Sequence, residues 1–160
     1  MKLSTLLAMA AILGPALCVA ATPTAVKALR ADIQVRGAKT VVAELRAGAA
    51  PQWDQVLGKI AQGGPDWLGA AGDLLGGTDA AAAEGVYGAL SNALAANPAA
   101  VLIMLGPEAG IADVCFDRQI EPTPAQHQAF ITRTRAALLT VKSPELRPKR
   151  DACLAKMGSE

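Results

Sequence analysis

The chain has 160 residues, 15 basic and 14 acidic side chains and a formal net charge of +1, so no charge surplus draws it to nucleic acid or an anionic membrane. Hydrophobic residues make up 52% and aromatics 3%, with 15 glycines and 10 prolines. That balance fits short packed helices punctuated by breakers, and one domain with one hydrophobic core.

The N-terminus reads as an export signal. Lys2 is followed by the apolar stretch Leu3 to Leu13, the breaker Gly14-Pro15, and the small residues Val19-Ala20-Ala21. The apolar run is shorter than the roughly 20 residues of a membrane-spanning helix, and cleavage is expected near Ala21. Lipid attachment at Cys18 is disfavoured, because Leu17 precedes it where a small residue is needed. This divides the chain into a signal peptide, 1–21, and a single helical domain, 22–160. Location is expected to be periplasmic or secreted.

Val26, Leu29, Ile33, Val41 and Leu45 recur at helical spacing, which predicts a first helix over about 24–47, with Gly37 able to divide it. Next comes an internal echo at a shift of 14 residues. Pro51, Trp53, Gly58, Ile60 and Gly63 fall on Pro65, Trp67, Gly72, Leu74 and Gly77. Each copy predicts a short helix with proline in its first turn, tryptophan on the buried side and glycine at its end, and an αα-hairpin is the natural pairing. Thr78-Asp79 supplies an N-cap and a first-turn acid for a helix carrying Val86, Tyr87, Leu90 and Leu94, which Asn97-Pro98 stops.

The segment Ala99 to Leu105 reads as buried all round, and 106–122 as the longest irregular stretch. Thr123-Pro124-Ala125-Gln126 is a capping-box start for a helix to about Val141, with Phe130, Ile131, Leu138 and Val141 inward. Ser143-Pro144-Glu145 opens a last helix ending near Met157, which Pro148 must kink or delay to about 148. The fold class is therefore all-α: a compact bundle or short stack of helical hairpins, with six to seven helices.

Loss of Cys18 with the signal leaves Cys115 and Cys153. An even count in an oxidising compartment reads as one disulfide, worth roughly 2 to 4 kcal/mol. Metal binding is not expected, because only His127 is left to complete a tetrahedral site, and no cofactor is implied.

Candidate chemistry is sparse. His127 stands on the edge of an apolar stripe and reads as a hydrogen-bonded structural residue; no Ser/His/Asp or Cys/His arrangement accompanies it, so the chain reads as a non-enzyme. Asp113, Asp117 and Glu121 are spaced by four but lack the alternating ligands of a calcium loop, and read as solvated acids. Residues 54–121 are acidic and 123–160 basic. An acidic face from Asp54, Asp66, Asp73, Asp79 and Glu84 would meet a basic partner, unless the protein's own basic terminal helices neutralise it. Arg147, Lys149 and Arg150 read as solvation. Trp53 and Trp67, beside Asp54 and Asp66, are core anchors or, where part of a ring is exposed, hot spots for a protein partner.

The residues around Trp53, Ile60, Gly63, Trp67, Leu74 and Asn97-Pro98 resemble those of small, uncharacterised, exported helical-repeat-like (HEAT-like) proteins of Gram-negative bacteria. The resemblance spans about 50–105 and implies an all-helical fold and an envelope location, with no catalytic or binding residue to carry over. The functional expectation is a periplasmic or secreted protein-binding module, such as an inhibitor or immunity-type protein, whose partner is another envelope or secreted protein. The alternative is a small-molecule or lipid carrier with an apolar cavity between helices.

Overall fold

The computed structural model describes residues 22–48 and 52–158. The signal-peptide reading of 1–21 and the role given to Pro51 lie outside these residues. The described chain is all-helical: α1 (Thr22–Arg36), α2 (Ala38–Ala47), α3 (Gln52–Ala61), α4 (Pro65–Leu75), α5 (Ala80–Ala96), α6 (Pro98–Met104), α7 (Ile111–Val114), α8 (Pro124–Leu139) and α9 (Arg147–Lys156).

This exceeds the six or seven helices expected, for two reasons. Gly37 does divide the first helix: its φ of 84° places it in the left-handed region, which ends α1 and restarts the chain as α2. The irregular stretch also contains one helical turn, α7, at whose start the N-cap Gly110 N–H donates to Asp113 Oδ2 at 2.9 Å. A four-residue helix has no periodicity to read.

The middle of the molecule is α5, which touches α3, α4, α6, α7 and α8. Its inward residues Ala82, Val86, Ala89, Leu90, Ala93 and Leu94 are all buried. Alternating small and branched side chains let several helices approach one axis at once. The α3–α4 pair differs from the simple hairpin expected of the 14-residue echo. The two helices touch, but α3 lies chiefly on α5 and α4 chiefly on α1. Equivalent sequence patterns fix which face is apolar and leave open what that face meets.

The closest approach is at Gly77. A β-carbon there would stand 2.3 Å from both the Ala38 carbonyl carbon and the Lys39 amide nitrogen, so the α4–α5 turn presses directly on the start of α2. Asn97 makes a second joint. Its side chain accepts from Ala100 N–H at 3.3 Å to cap α6, and donates from Nδ2 to the Gly63 carbonyl at 2.9 Å, tying the α3–α4 turn to the α5–α6 junction.

Helix starts follow the sequence with one exchange of roles. At α8 the Thr123 amide donates to Gln126 Oε1 at 2.9 Å and the Gln126 amide to Thr123 Oγ1 at 3.3 Å, the reciprocal box expected. At α5 the N-cap is Asp79, not Thr78: Asp79 Oδ1 accepts from Ala82 N–H at 2.8 Å, while Thr78 Oγ1 donates to the Leu75 carbonyl at 2.9 Å and so closes α4. The α6 segment is not buried all round, since Val101 and Leu102 are enclosed while Ile103 is 68% exposed. Pro148 delays α9, which starts at Arg147 after a turn over 144–146.

Cys115 and Cys153 form the expected disulfide, joining the end of α7 to α9 across 38 positions, with both residues fully buried. Among the described residues no helix is long and apolar enough to cross a membrane.

Candidate functional site

Trp53 lies in the first turn of α3 and Trp67 in the first turn of α4. Both rings are half-buried and pack against the core. Trp53 seats on α5 because Gly85 leaves room: a β-carbon there would come within 3.3 Å of the indole nitrogen and 2.9 Å of Leu57. Trp67 rests against the turn at Gly64. Asp54 and Asp66 are exposed beside them.

The acidic set splits in two. Asp73 pairs with Arg30 at 2.6 Å, Asp79 with Arg46 at 2.7 Å, and Glu84 with Arg118. The neutralising arginines come from α1, α2 and the irregular loop, not from the basic C-terminal helices that the charge distribution suggested. Asp54 and Asp66 make no ion pair among the described residues. The Asp79 carboxyl is held below its usual range first by the Ala82 N–H and then by Arg46.

The C-terminal cations serve the backbone. Lys149 Nζ donates to the Leu105 carbonyl at 2.6 Å, Arg150 to the Val141 carbonyl at 2.9 Å and Arg135 to the Leu154 carbonyl at 2.9 Å. These carbonyls lie at helix ends and in a loop. Of the basic cluster read as solvation, two members are thus structural, and Arg147 alone is simply exposed.

The irregular stretch is held by polar contacts that the sequence did not announce. Ser91 Oγ, buried on α5, donates to the Phe116 carbonyl at 2.6 Å. The Arg118 guanidinium lies over the rings of Phe116, at 4.3 Å, and Tyr87, at 5.3 Å, while donating to the Asp113 carbonyl and pairing with Glu84. Tyr87 donates to the Glu108 carbonyl at 3.0 Å, and its phenol is pushed up by burial and then by the Asp113, Glu108 and Glu84 carboxylates.

Asp117, expected as a solvated loop acid, is 2% exposed at its side chain; it accepts from the Gln119 amide at 3.0 Å and meets His127 Nδ1 at 3.0 Å. His127 is thus hydrogen-bonded, clipping the loop to α8. Asp113, Asp117 and Glu121 have three separate surroundings, and among the described residues no three His, Cys, Asp or Glu side chains converge on a possible metal position. Ser91–Phe116, Asp117–His127 and Arg118–Glu84 join residues far apart in sequence, which a local pattern cannot pair. No family model matches this chain, and neither the curated proteins nor the solved structures include a significant match.

Proposed function

We propose that this chain is an exported, non-enzymatic protein-binding module that works in the periplasm or outside the cell, with Trp53, Asp54, Asp66 and Trp67 on its partner surface. The observation that carries this reading is the selective charge pairing. The protein's own arginines pair with Asp73, Asp79 and Glu84, while the two carboxylates beside the tryptophans, Asp54 and Asp66, are in no ion pair among the described residues. Half-buried indoles flanked by exposed acids suit a basic protein surface, where an aromatic anchor supplies area and the acids supply orientation. The inhibitor or immunity-type role is one form of such a module.

The buried Cys115–Cys153 bridge supports an oxidising compartment.

The test is capture from envelope extract on immobilised full-length product, comparing the unaltered chain with the double variant Asp54→Lys, Asp66→Lys. Both sites are exposed, so folding should persist. A partner retained by the first and lost by the second, with retention weakening as salt rises, is the expected result. Identical captured sets would overturn the assignment of this face.

A further inference from the structure

The apolar spacing of Val26, Leu29, Ile33, Val41 and Leu45 runs through position 37 without a break, and Gly37 stands on that stripe midway between Ile33 and Val41. One long helix is therefore encoded, and the structure bends it at a single residue. At Gly37 φ is 84° and ψ is 145°, a region that glycine enters freely and other residues avoid. The hydrogen-bond ladder almost crosses the bend: Gly37 N–H donates to the Ile33 carbonyl at 2.9 Å and Val41 N–H to the Gly37 carbonyl at 3.3 Å. Straightening would also pair the amides of Ala38, Lys39 and Thr40 with the carbonyls of Gln34, Val35 and Arg36.

Contacts of three kinds hold the bent form. The first is apolar: Val26 and Ile33 are buried, and α1 lies chiefly on α4. The second is Arg30, which crosses α4 at Gly69, where a β-carbon would stand 3.2 Å from Nη1, and donates from Nε to Asp73 at 2.6 Å. Arg36 supplies the third, gripping Asp32 on α1 and donating to both carboxylate oxygens of Glu44 on α2 at 2.7 Å. In a straight helix positions 36 and 44 are about 12 Å apart along the axis, beyond a guanidinium already held one turn back by Asp32. The Arg36–Glu44 pair is thus a latch on the bend, whereas the seat of α1 on α4 does not depend on it. Gly77 presses on the start of α2 and fixes it to the body, so α1 is the part that can move.

We propose that α1 is an exchangeable arm: by straightening at Gly37 it leaves its own α4, and the vacated seat takes α1 of a second copy of this chain, giving a reciprocal dimer. Both halves of the interface are present in one molecule, because the arriving α1 carries the same Val26, Ile33 and Arg30 as the one that left. Exchange conserves the α1–α4 contacts and gives up the latch and the contacts at the bend, against which it gains helical hydrogen bonds. Protein concentration then sets the balance.

The test begins with Gly37→Ala in the purified chain with its disulfide intact. An added β-carbon there has nothing within 4 Å, so the substitution acts on backbone conformation alone. It disfavours the bend and favours the helix, and sedimentation should show dimer association raised about 100-fold over the unaltered chain. Arg30→Asp and Asp73→Arg, each placed in that background, then identify the seat. Either variant alone opposes like charges, both in the bent chain and in its own dimer. Mixed together, they restore opposite charges at both seats of a reciprocal heterodimer, which should exceed the statistical mixture about 10-fold. Glu44→Gln removes the latch without stressing the backbone; it should raise association about 5-fold, and it carries the same mixing test where Gly37→Ala does not fold. A folded Gly37→Ala that stays monomeric, a dimer that mixes only statistically, or a Glu44→Gln chain that associates no more than the unaltered one would each overturn the proposal.

Discussion

The α1–α5 half and the 106–123 stretch lose their freedom by different means. In the first, backbone presses on backbone: Gly77 lies against Ala38 and Lys39, and the small residues of α5 admit its neighbours closely. In the second, backbone hydrogen bonding is confined to the α7 turn and a Gly106–Ala109 bond, and side chains and a covalent bridge hold the rest: Cys115–Cys153, Ser91 to Phe116, Asp117 to His127, Arg118 to Asp113. Close packing tolerates no added atom, whereas polar clips tolerate no lost partner. The two regions should therefore fail under opposite kinds of substitution.

The largest effect should come from the clipped region. Replacing both Cys115 and Cys153 by serine removes a 38-position closure and should cost about 4 kcal/mol in urea unfolding. Limited proteolysis should then cut within 106–123 before anywhere in α1–α5. If cleavage begins in α1–α5 instead, the bridge is not what secures the loop.

Gly77→Ala attacks the other mode. One methyl group must displace the α2 backbone, so a loss of about 3 kcal/mol is expected. Gly72→Ala, at a helical position with nothing within 4 Å of the added carbon, should instead stabilise by about 0.5–1 kcal/mol. Equal effects at the two glycines would break the packing account.

Asp117→Asn leaves shape almost unchanged but weakens the clip to His127, for a cost of about 2 kcal/mol by urea titration. Its exchange protection should fall first at the Gln119 amide. Thr134 gives the converse case in the packed interior of α8. Its hydroxyl is buried with no hydrogen-bond partner among the described residues, so Thr134→Val should be neutral or stabilise by up to about 1 kcal/mol. A clear destabilisation would mean that the hydroxyl does have a partner.

The smallest effect is in pH. The Asp79 carboxyl is lowered in the folded chain by the Ala82 N–H and Arg46, so its contribution is fully present above the ordinary carboxylate range and is lost as pH falls through the folded value. Thermal unfolding of the unaltered chain and of Asp79→Asn should differ slightly at pH 7 and converge in acid. A gap that widens on acidification would reverse the sign and remove Asp79 as a cap.

Much of the fold could be read from breakers and caps. Gly37 split the first helix, Thr123 and Gln126 opened α8, Pro148 set the start of α9, and the cysteine count gave the bridge. These signals are local, since each depends on residues within a turn of one another. Helix partners were not legible, because the tryptophan echo gives two identical apolar faces and α3 and α4 lay them on different helices. The candidate surface was half legible. Trp53 and Trp67 stood out by scarcity, but which acids lack an ion pair among the described residues depended on Arg30, Arg46 and Arg118, all of them over 30 positions from their partners. Ile120, which is 94% exposed, sits in a stretch with no period at all, where sequence gives no sign of which way a side chain points.

The bridge also orders events in time. Cys115 has no partner until 38 further positions have been made, whereas α1 to α6 already hold most of each other's apolar faces. The helical body can condense around α5 while the 106–123 stretch is still open. The 106–123 stretch would then be the last part to acquire its shape, once Cys153 is available to Cys115, and thiol-blocked chains should carry an assembled body with an unformed loop.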